Sequence, residues 1–203
     1  MIRRLLLVRH GRIEAGHQGQ FIGATDPTLD TRGESQVRSL AGRIQQLRPD
    51  VCYCSPLQRC RQTASAVVPD VSPHFDSRLR EIDFGDWERR TFADVARDHP
   101  AQVAQWAEFA PEFMFPGGEK LADFVQRVRA AADLLCQTDA QTLLAVTHGG
   151  VIRLMLCHLL GLDLRKYVVF DVGYASLAVI DLFENGGVLT ALERVEVEHS
   201  REW

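Results

Sequence analysis

The sequence predicts an α/β fold of three layers. A mostly parallel sheet is flanked by helices, with a small helical cap insertion and a C-terminal hairpin at the sheet edge. Three observations predict it. Short apolar runs alternate with stretches whose apolar residues recur at helical spacing, the pattern of a sheet built with crossover helices. Two of the runs, residues 5–8 and 143–146, read as buried strands, and each stops abruptly at a His followed by Gly. The chain has 203 residues, 46% of them hydrophobic and 25% charged, enough for one large core without a metal or disulfide staple. One domain over residues 1–203 is expected, with the cap at about 88–117.

The elements follow in order. Residues 2–8 form a strand that turns at Arg9-His10-Gly11. Residues 16–29, with Gly, Asp-Pro and scattered polar residues, read as loop. Thr31-Arg32-Gly33-Glu34 has the form of a capping box, and Val37, Leu40, Ala41, Ile44 and Leu47 continue at helical spacing to Pro49. Residues 51–54 are a second strand. Ser55-Pro56 then opens a helix to about Val68, because proline's missing N–H has no intrahelical partner in a first turn. Residues 79–84 are extended and enter a turn at Gly85-Asp86. Residues 91–114 are less regular, with a capping box at Thr91…Asp94, Trp106, several Phe, and prolines, and read as short helices over the sheet. Residues 119–136 are the clearest helix, with Leu121, Phe124, Val125, Val128, Ala132 and Leu135 in one stripe. Residues 142–146 are a strand stopping at Thr147-His148-Gly149-Gly150, and a helix over 151–160 ends at Gly161. Residues 177–183 and 188–195, joined by Asn185-Gly186-Gly187, form a hairpin. Its edge leaves a homodimer open.

Several classes of function are disfavoured. No apolar run approaches the ~18 residues of a spanning helix, and the four apolar residues after Arg3-Arg4 are too few for an export signal, so a cytoplasmic protein with no membrane partner is expected. The five cysteines are odd in number, lack Cys-x-x-Cys spacing and read as reduced packing residues. A net charge of −4 argues against nucleic acid. Only two of the 23 basic residues are Lys, and guanidinium groups suit bidentate phosphate binding, although codon bias gives the same imbalance.

Ligands of such sheets bind beyond the carboxyl ends of the strands, which points to His10 and His148. If the two strands are neighbours, the imidazoles face each other across the crevice, and the glycine after each allows close approach of a ligand. A metal needs a third ligand at suitable spacing, and neither His has one, while Arg9 would repel a dication; no metal and no cofactor are expected. Arg9 points to an anion. Arg59, in the first turn of a helix that follows a strand, would add to the same charge. For a proton donor the residues leave Glu81, Asp83, Asp86 and Glu88 open.

Six segments in order resemble the histidine phosphatase (phosphoglycerate mutase-like) superfamily. They are Leu7-Val8-Arg9-His10-Gly11, the loop Gly23-Ala24-Thr25-Asp26-Pro27-Thr28-Leu29, Ser55-Pro56-Leu57-Gln58-Arg59-Cys60-Arg61-Gln62-Thr63-Ala64, Leu79-Arg80-Glu81-Ile82-Asp83-Phe84-Gly85-Asp86-Trp87-Glu88, and Pro116-Gly117-Gly118-Glu119 with Val146-Thr147-His148-Gly149-Gly150. The resemblance implies a phosphatase in which His10 becomes a phosphohistidine, Arg9, Arg59 and His148 hold the phosphoryl oxygens, and Glu81 is the acid, with no metal. Phe21, Ile22, Gly23 and Gly149 would contribute to the substrate loop.

Two departures stand out. The family's phosphate-binding Asn is absent after Arg12-Ile13-Glu14, leaving Gln18 or Gln20 as substitutes. Arg89 stands where the family has Gly, so that Arg89 or Arg90 would bind a second anion or simply face solvent. The segment between Arg90 and Pro116 lacks the Arg- and Tyr-rich insertion of phosphoglycerate mutases, the alternative activity; a phospholigand-binding module is a second alternative. The loop at Phe21 and the segment from Phe115 look most like the α-ribazole phosphatase and broad-specificity branch, whose partner is a small phosphomonoester.

Overall fold

The computed structural model describes residues 3–14, 17, 19–184 and 186–194. Among them, six strands form one sheet in the order β3-β2-β4-β1-β5-β6. These are β1 (Arg3–Arg9), β2 (Val51–Cys54), β3 (His74–Phe75), β4 (Thr142–Thr147), β5 (Leu177–Phe183) and β6 (Gly186–Glu193). β1, β4, β2 and β3 are mutually parallel, and β5 and β6 are antiparallel, so the hairpin closes one edge as expected.

The described residues also form six α-helices: α1 (Thr31–Leu47), α2 (Gln58–Val67), α3 (Phe92–Asp98), α4 (Pro100–Ala107), α5 (Leu121–Gln137) and α6 (Gly149–Leu159). The continuous apolar strands follow from two covered faces. Leu6, Val8, Leu144 and Val146 pack with Val37, Leu40 and Ile44 of α1 and Cys60, Ala64 and Val67 of α2. Leu5, Leu7, Leu143 and Ala145 point the other way, into Phe124, Val128 and Leu135 of α5 and Ile152 and Met155 of α6. Each such Leu contributes roughly 1.5–3 kcal/mol by leaving water.

Several boundaries move, for physical reasons. α1 is capped by Asp30, whose Oδ1 accepts from the Gly33 N–H, so Thr31 is the first helical residue and not the cap. α2 begins at Gln58, not at Ser55-Pro56. The Ser55 N–H is still held by the Val146 carbonyl, and the cap on the Gln58 N–H is Asp26 Oδ1 (2.8 Å), from a distant loop. α5 begins two residues later than expected, because Glu119 is used elsewhere. The Thr91 cap holds, its hydroxyl accepting from the Asp94 N–H, and α3 and α4 fall inside the expected cap. Residues 80–84 belong to no strand: Arg80 is extended, but Phe84 has already turned into the right-handed helical region, and the segment lies between 3-10 turns at Ser77–Leu79 and Gly85–Trp87. The two-residue β3 and the 3-10 turn Leu164–Val169 were not anticipated. Asn185 and Val195 of the predicted hairpin and Gln18 lie outside the described residues.

Candidate active site

β1 and β4 pair with Arg9 opposite Thr147, so His10 and His148 emerge side by side, their ring centroids 5.2 Å apart. The turn after His10 is fixed by α2: the Gly11 N–H donates to Thr63 Oγ1 (3.1 Å), and that hydroxyl donates to the Arg59 carbonyl (2.7 Å).

His10 is buried, and its Nδ1 lies 2.8 Å from the Gly11 carbonyl oxygen. A carbonyl only accepts, so Nδ1 carries the proton and Nε2 keeps its lone pair. Burial first, then the charges of Arg59 and Arg9, hold this imidazole well below its ordinary pKa, outweighing the Gly11 carbonyl. His148 is fully buried and lowered in the same way, by burial and then by Arg59, His10, Arg9 and Arg127. Arg59 Nε donates to its Nδ1 (3.3 Å), so its Nε2 carries the proton and donates to Ser55 Oγ (2.8 Å). The site therefore holds two neutral imidazoles among cations. Both nitrogens of His148 are engaged within the protein, a different arrangement from the direct hold on phosphoryl oxygen implied by the resemblance.

Arg59 is completely buried, and its Nη1 and Nη2 donate to the carbonyls of Thr25 (2.7 Å) and Gly23 (2.9 Å). It thus ties the loop that follows Phe21 and Ile22 to the histidine pair. The Arg9 guanidinium lies 4.2 Å above the Tyr174 ring, with Nη1 on the Val172 carbonyl and Nε buried without a partner. Gly149 opens α6 where a Cβ would stand 3.4 Å from the Arg9 guanidinium and 3.3 Å from Arg153 Nη1.

Geometry separates the four candidate acids. Glu81 Oε2 accepts from the Gly150 N–H at the start of α6 (3.0 Å), one residue from Gly149 and two from His148. Glu88 is occupied as an anchor, its carboxylate accepting from the N–H groups of Gly23, Ala24, Thr25 and Phe84. Asp83 caps its own turn at the Gly85 N–H, and Asp86 is exposed beside Gly117. Glu81 also stands where two cavities meet. One, of about 290 Å³, is polar and includes Arg80, Asp83 and Arg127. The other, of about 180 Å³, is walled by Phe21, Phe84, Trp106, Phe115 and Tyr167, and Arg153 also lines it. Neither is lined by His10, Arg9, Arg59 or His148.

Ile22 is half-buried in the loop, and Gly23 is required there because a Cβ would fall 1.8 Å from the Ile82 carbonyl oxygen. Gln20 pairs with Thr91 and leaves its Oε1 buried without a partner. Arg89 has φ +63°, the left-handed backbone that favours glycine, and its N–H donates to the Phe21 carbonyl. Arg90 is paired with Asp98 in the cap. Among the described residues, no group of three or more His, Cys, Asp or Glu could hold a metal ion, and no helix is long and apolar enough to cross a membrane. Sequence reasoning missed Tyr174, which carries no local signal. It also missed Arg153, although a position four residues after Gly149 on the same helix shares its face.

Residues 5–194 match the model of the histidine phosphatase superfamily (branch 1); the chain belongs to that superfamily and is a phosphatase. It is 33% identical to phosphoserine phosphatase 1 of Hydrogenobacter thermophilus, over 93% of this chain and 91% of that protein. It is equally, 33%, identical to the adenosylcobalamin/alpha-ribazole phosphatase of Salmonella typhimurium, over 93% and 95%. Among solved structures, the alpha-ribazole phosphatase of Shigella flexneri superposes with a TM-score of 0.84 at 30% identity, covering 97% of this chain and all (100%) of that one.

Proposed function

We propose that this phosphatase hydrolyses small phosphomonoesters through a phosphohistidine on His10, without a metal. The observation that carries the reading is the His10 tautomer: Nδ1 is held by the Gly11 carbonyl, so Nε2 presents a lone pair in a cationic surrounding. Nε2 attacks phosphorus, the ester P–O bond breaks, and Glu81 protonates the leaving alkoxide. Glu81 then takes a proton from water, whose oxygen attacks phosphorus. The P–N bond breaks, leaving inorganic phosphate and neutral His10. Arg9, with its unpartnered Nε, and Arg59 stabilise the phosphoryl charge in both steps, and His148 holds Arg59 in place.

The reading includes one domain over 1–203, with 88–117 as the cap, and a cytoplasmic protein acting on a metabolite. The leaving group is α-ribazole, the alcohol of α-ribazole 5′-phosphate, supported by the similarity to alpha-ribazole phosphatases and by the aromatic-walled cavity beside Glu81, which suits a flat ring system. Phosphoserine is the second reading, supported by a relative at equal identity.

The test is phosphate release in EDTA across α-ribazole 5′-phosphate, O-phosphoserine, both phosphoglycerates and sugar phosphates. Highest kcat/KM for α-ribazole 5′-phosphate is expected, with acid-labile phosphate trapped on the protein and lost in His10→Ala. Activity abolished by EDTA, or retained in His10→Ala, overturns the mechanism. Preference for phosphoserine moves the substrate to the second reading. Interconversion of phosphoglycerates without release identifies a mutase, and phosphate binding without turnover identifies a binding module.

A further inference from the structure

The segment that carries Glu81 leaves the short 3-10 turn Ser77–Leu79 and joins no strand ladder, yet all four carbonyls of residues 78–81 are engaged by side chains. Thr147, the residue before His148, donates its hydroxyl to the Leu79 carbonyl (2.6 Å). Arg127, on α5, takes the other three. Its Nη1 donates to Arg78 (2.9 Å) and Arg80 (2.6 Å), and its Nη2 to Glu81 (3.0 Å). The same guanidinium makes a paired contact with Glu119, Nε at 2.6 Å and Nη2 at 2.8 Å. Glu119 in turn grips the far side of the segment: its N–H donates to the Asp83 carbonyl (2.9 Å), and its Oε2 accepts from the Asp83 N–H (3.3 Å).

We propose that Arg127, oriented by Glu119, is a positioning residue for Glu81, holding the acid at the start of α6 through the backbone that bears it. The inference rests on Glu81 being the acid. A planar fork reaches three carbonyls and a carboxylate at fixed angles; a lysine ammonium keeps the charge but not that geometry. Because Arg127 touches neither His10 nor Arg9, its loss should act on proton transfer and not on the attack of Nε2.

The experiment compares kcat/KM, which reports formation of the phosphoenzyme, for two esters. β-Glycerophosphate leaves as an alkoxide that needs a proton, and p-nitrophenyl phosphate leaves as a stable phenolate that does not. Glu81→Gln sets the reference and should lose roughly 10²-fold or more on the first ester, the scale of general acid catalysis, with far less on the second. Arg127→Lys is expected to repeat that selective loss at about 10- to 100-fold, the cost of an ångström-scale misplacement. The double variant should be no worse than Glu81→Gln alone. Equal losses on both esters in Arg127→Lys, or none, overturn the proposal while leaving Glu81 in place. If Glu81→Gln itself shows no selectivity, the acid assignment falls and the proposal with it. Should Arg127→Lys fail to fold, Glu119→Gln decides: a smaller loss confined to β-glycerophosphate supports the proposal, and an equal loss on both esters overturns it.

Discussion

A histidine beside two arginines has its proton decided by its surroundings rather than by its intrinsic basicity. Burial and the charges of Arg59 and Arg9 all disfavour the imidazolium of His10, and only the Gly11 carbonyl opposes them. An ordinary imidazole is about three quarters protonated at pH 6; the His10 ring, followed by NMR, is expected to remain neutral there, with the proton on Nδ1. A titration midpoint at or above 6.5 would contradict the electrostatics. The acid is constrained by a neighbour of a different kind. A Cβ at Gly150 would stand 2.5 Å from Glu81 Oε1, at the far end of a flexible side chain held here by the Gly150 and Ile82 N–H groups, so the backbone can tolerate it while the carboxylate cannot stay. Gly150→Ala is therefore expected to leave the melting temperature unchanged or raised, since alanine favours a helix by up to about 1 kcal/mol, while kcat/KM for alkyl phosphates falls. A wild-type rate in that variant would show that Glu81 does not act from this position.

Regular elements supply the frame, and irregular ones supply the chemistry. Helices α1 and α5 and strands β1 and β4 were legible because their apolar residues keep a strict period and both sheet faces are covered. The loop from Phe21 and the segment from Arg78 to Trp87 were legible only as motifs, since nothing periodic marks how they are held. Their backbone groups are satisfied by distant side chains. Asp26 caps α2, Arg127 and Thr147 hold the acid segment, and Glu88 gathers four N–H groups from two loops. Glu88→Gln removes the charge and turns an amide toward those donors. It is expected to lower the unfolding free energy by about 1–3 kcal/mol and to raise KM more than it lowers kcat, measured by urea unfolding and steady-state rates. A variant as stable as wild type would mean the loops are held by their own packing, such as Phe21 against Phe84 and Trp106.

For the molecule as a whole, the strand order does the convergence: β4 lies between β2 and β1, which brings Ser55, His148 and His10 to one sheet end from positions 45 to 138 residues apart in sequence. Folding there has a pH cost. Both imidazoles are depressed in the folded state, so below about pH 6.5 the unfolded chain binds protons that the folded one refuses. Stability is then complete above that value and declines as pH falls beneath it. The denaturant midpoint is expected to be lower at pH 5.5 than at 7.5, and lost phosphate protection would not account for it in phosphate-free buffer. Equal midpoints at the two values would mean that the histidines accept protons without strain on the fold.

By itself the sequence determined the layered α/β plan, the two strand ends where chemistry gathers and the set of motifs that mark the superfamily, because hydrophobic period and short local motifs are written in neighbouring residues. It left four carboxylates open as the acid on residue type alone. Only the tertiary structure decided among their environments, capped α2 with Asp26 rather than with its own residues, gave each imidazole its tautomer and engaged both nitrogens of His148. Those outcomes depend on which donor meets which acceptor across tens of residues, and hydrogen bonds of that span have no period to read.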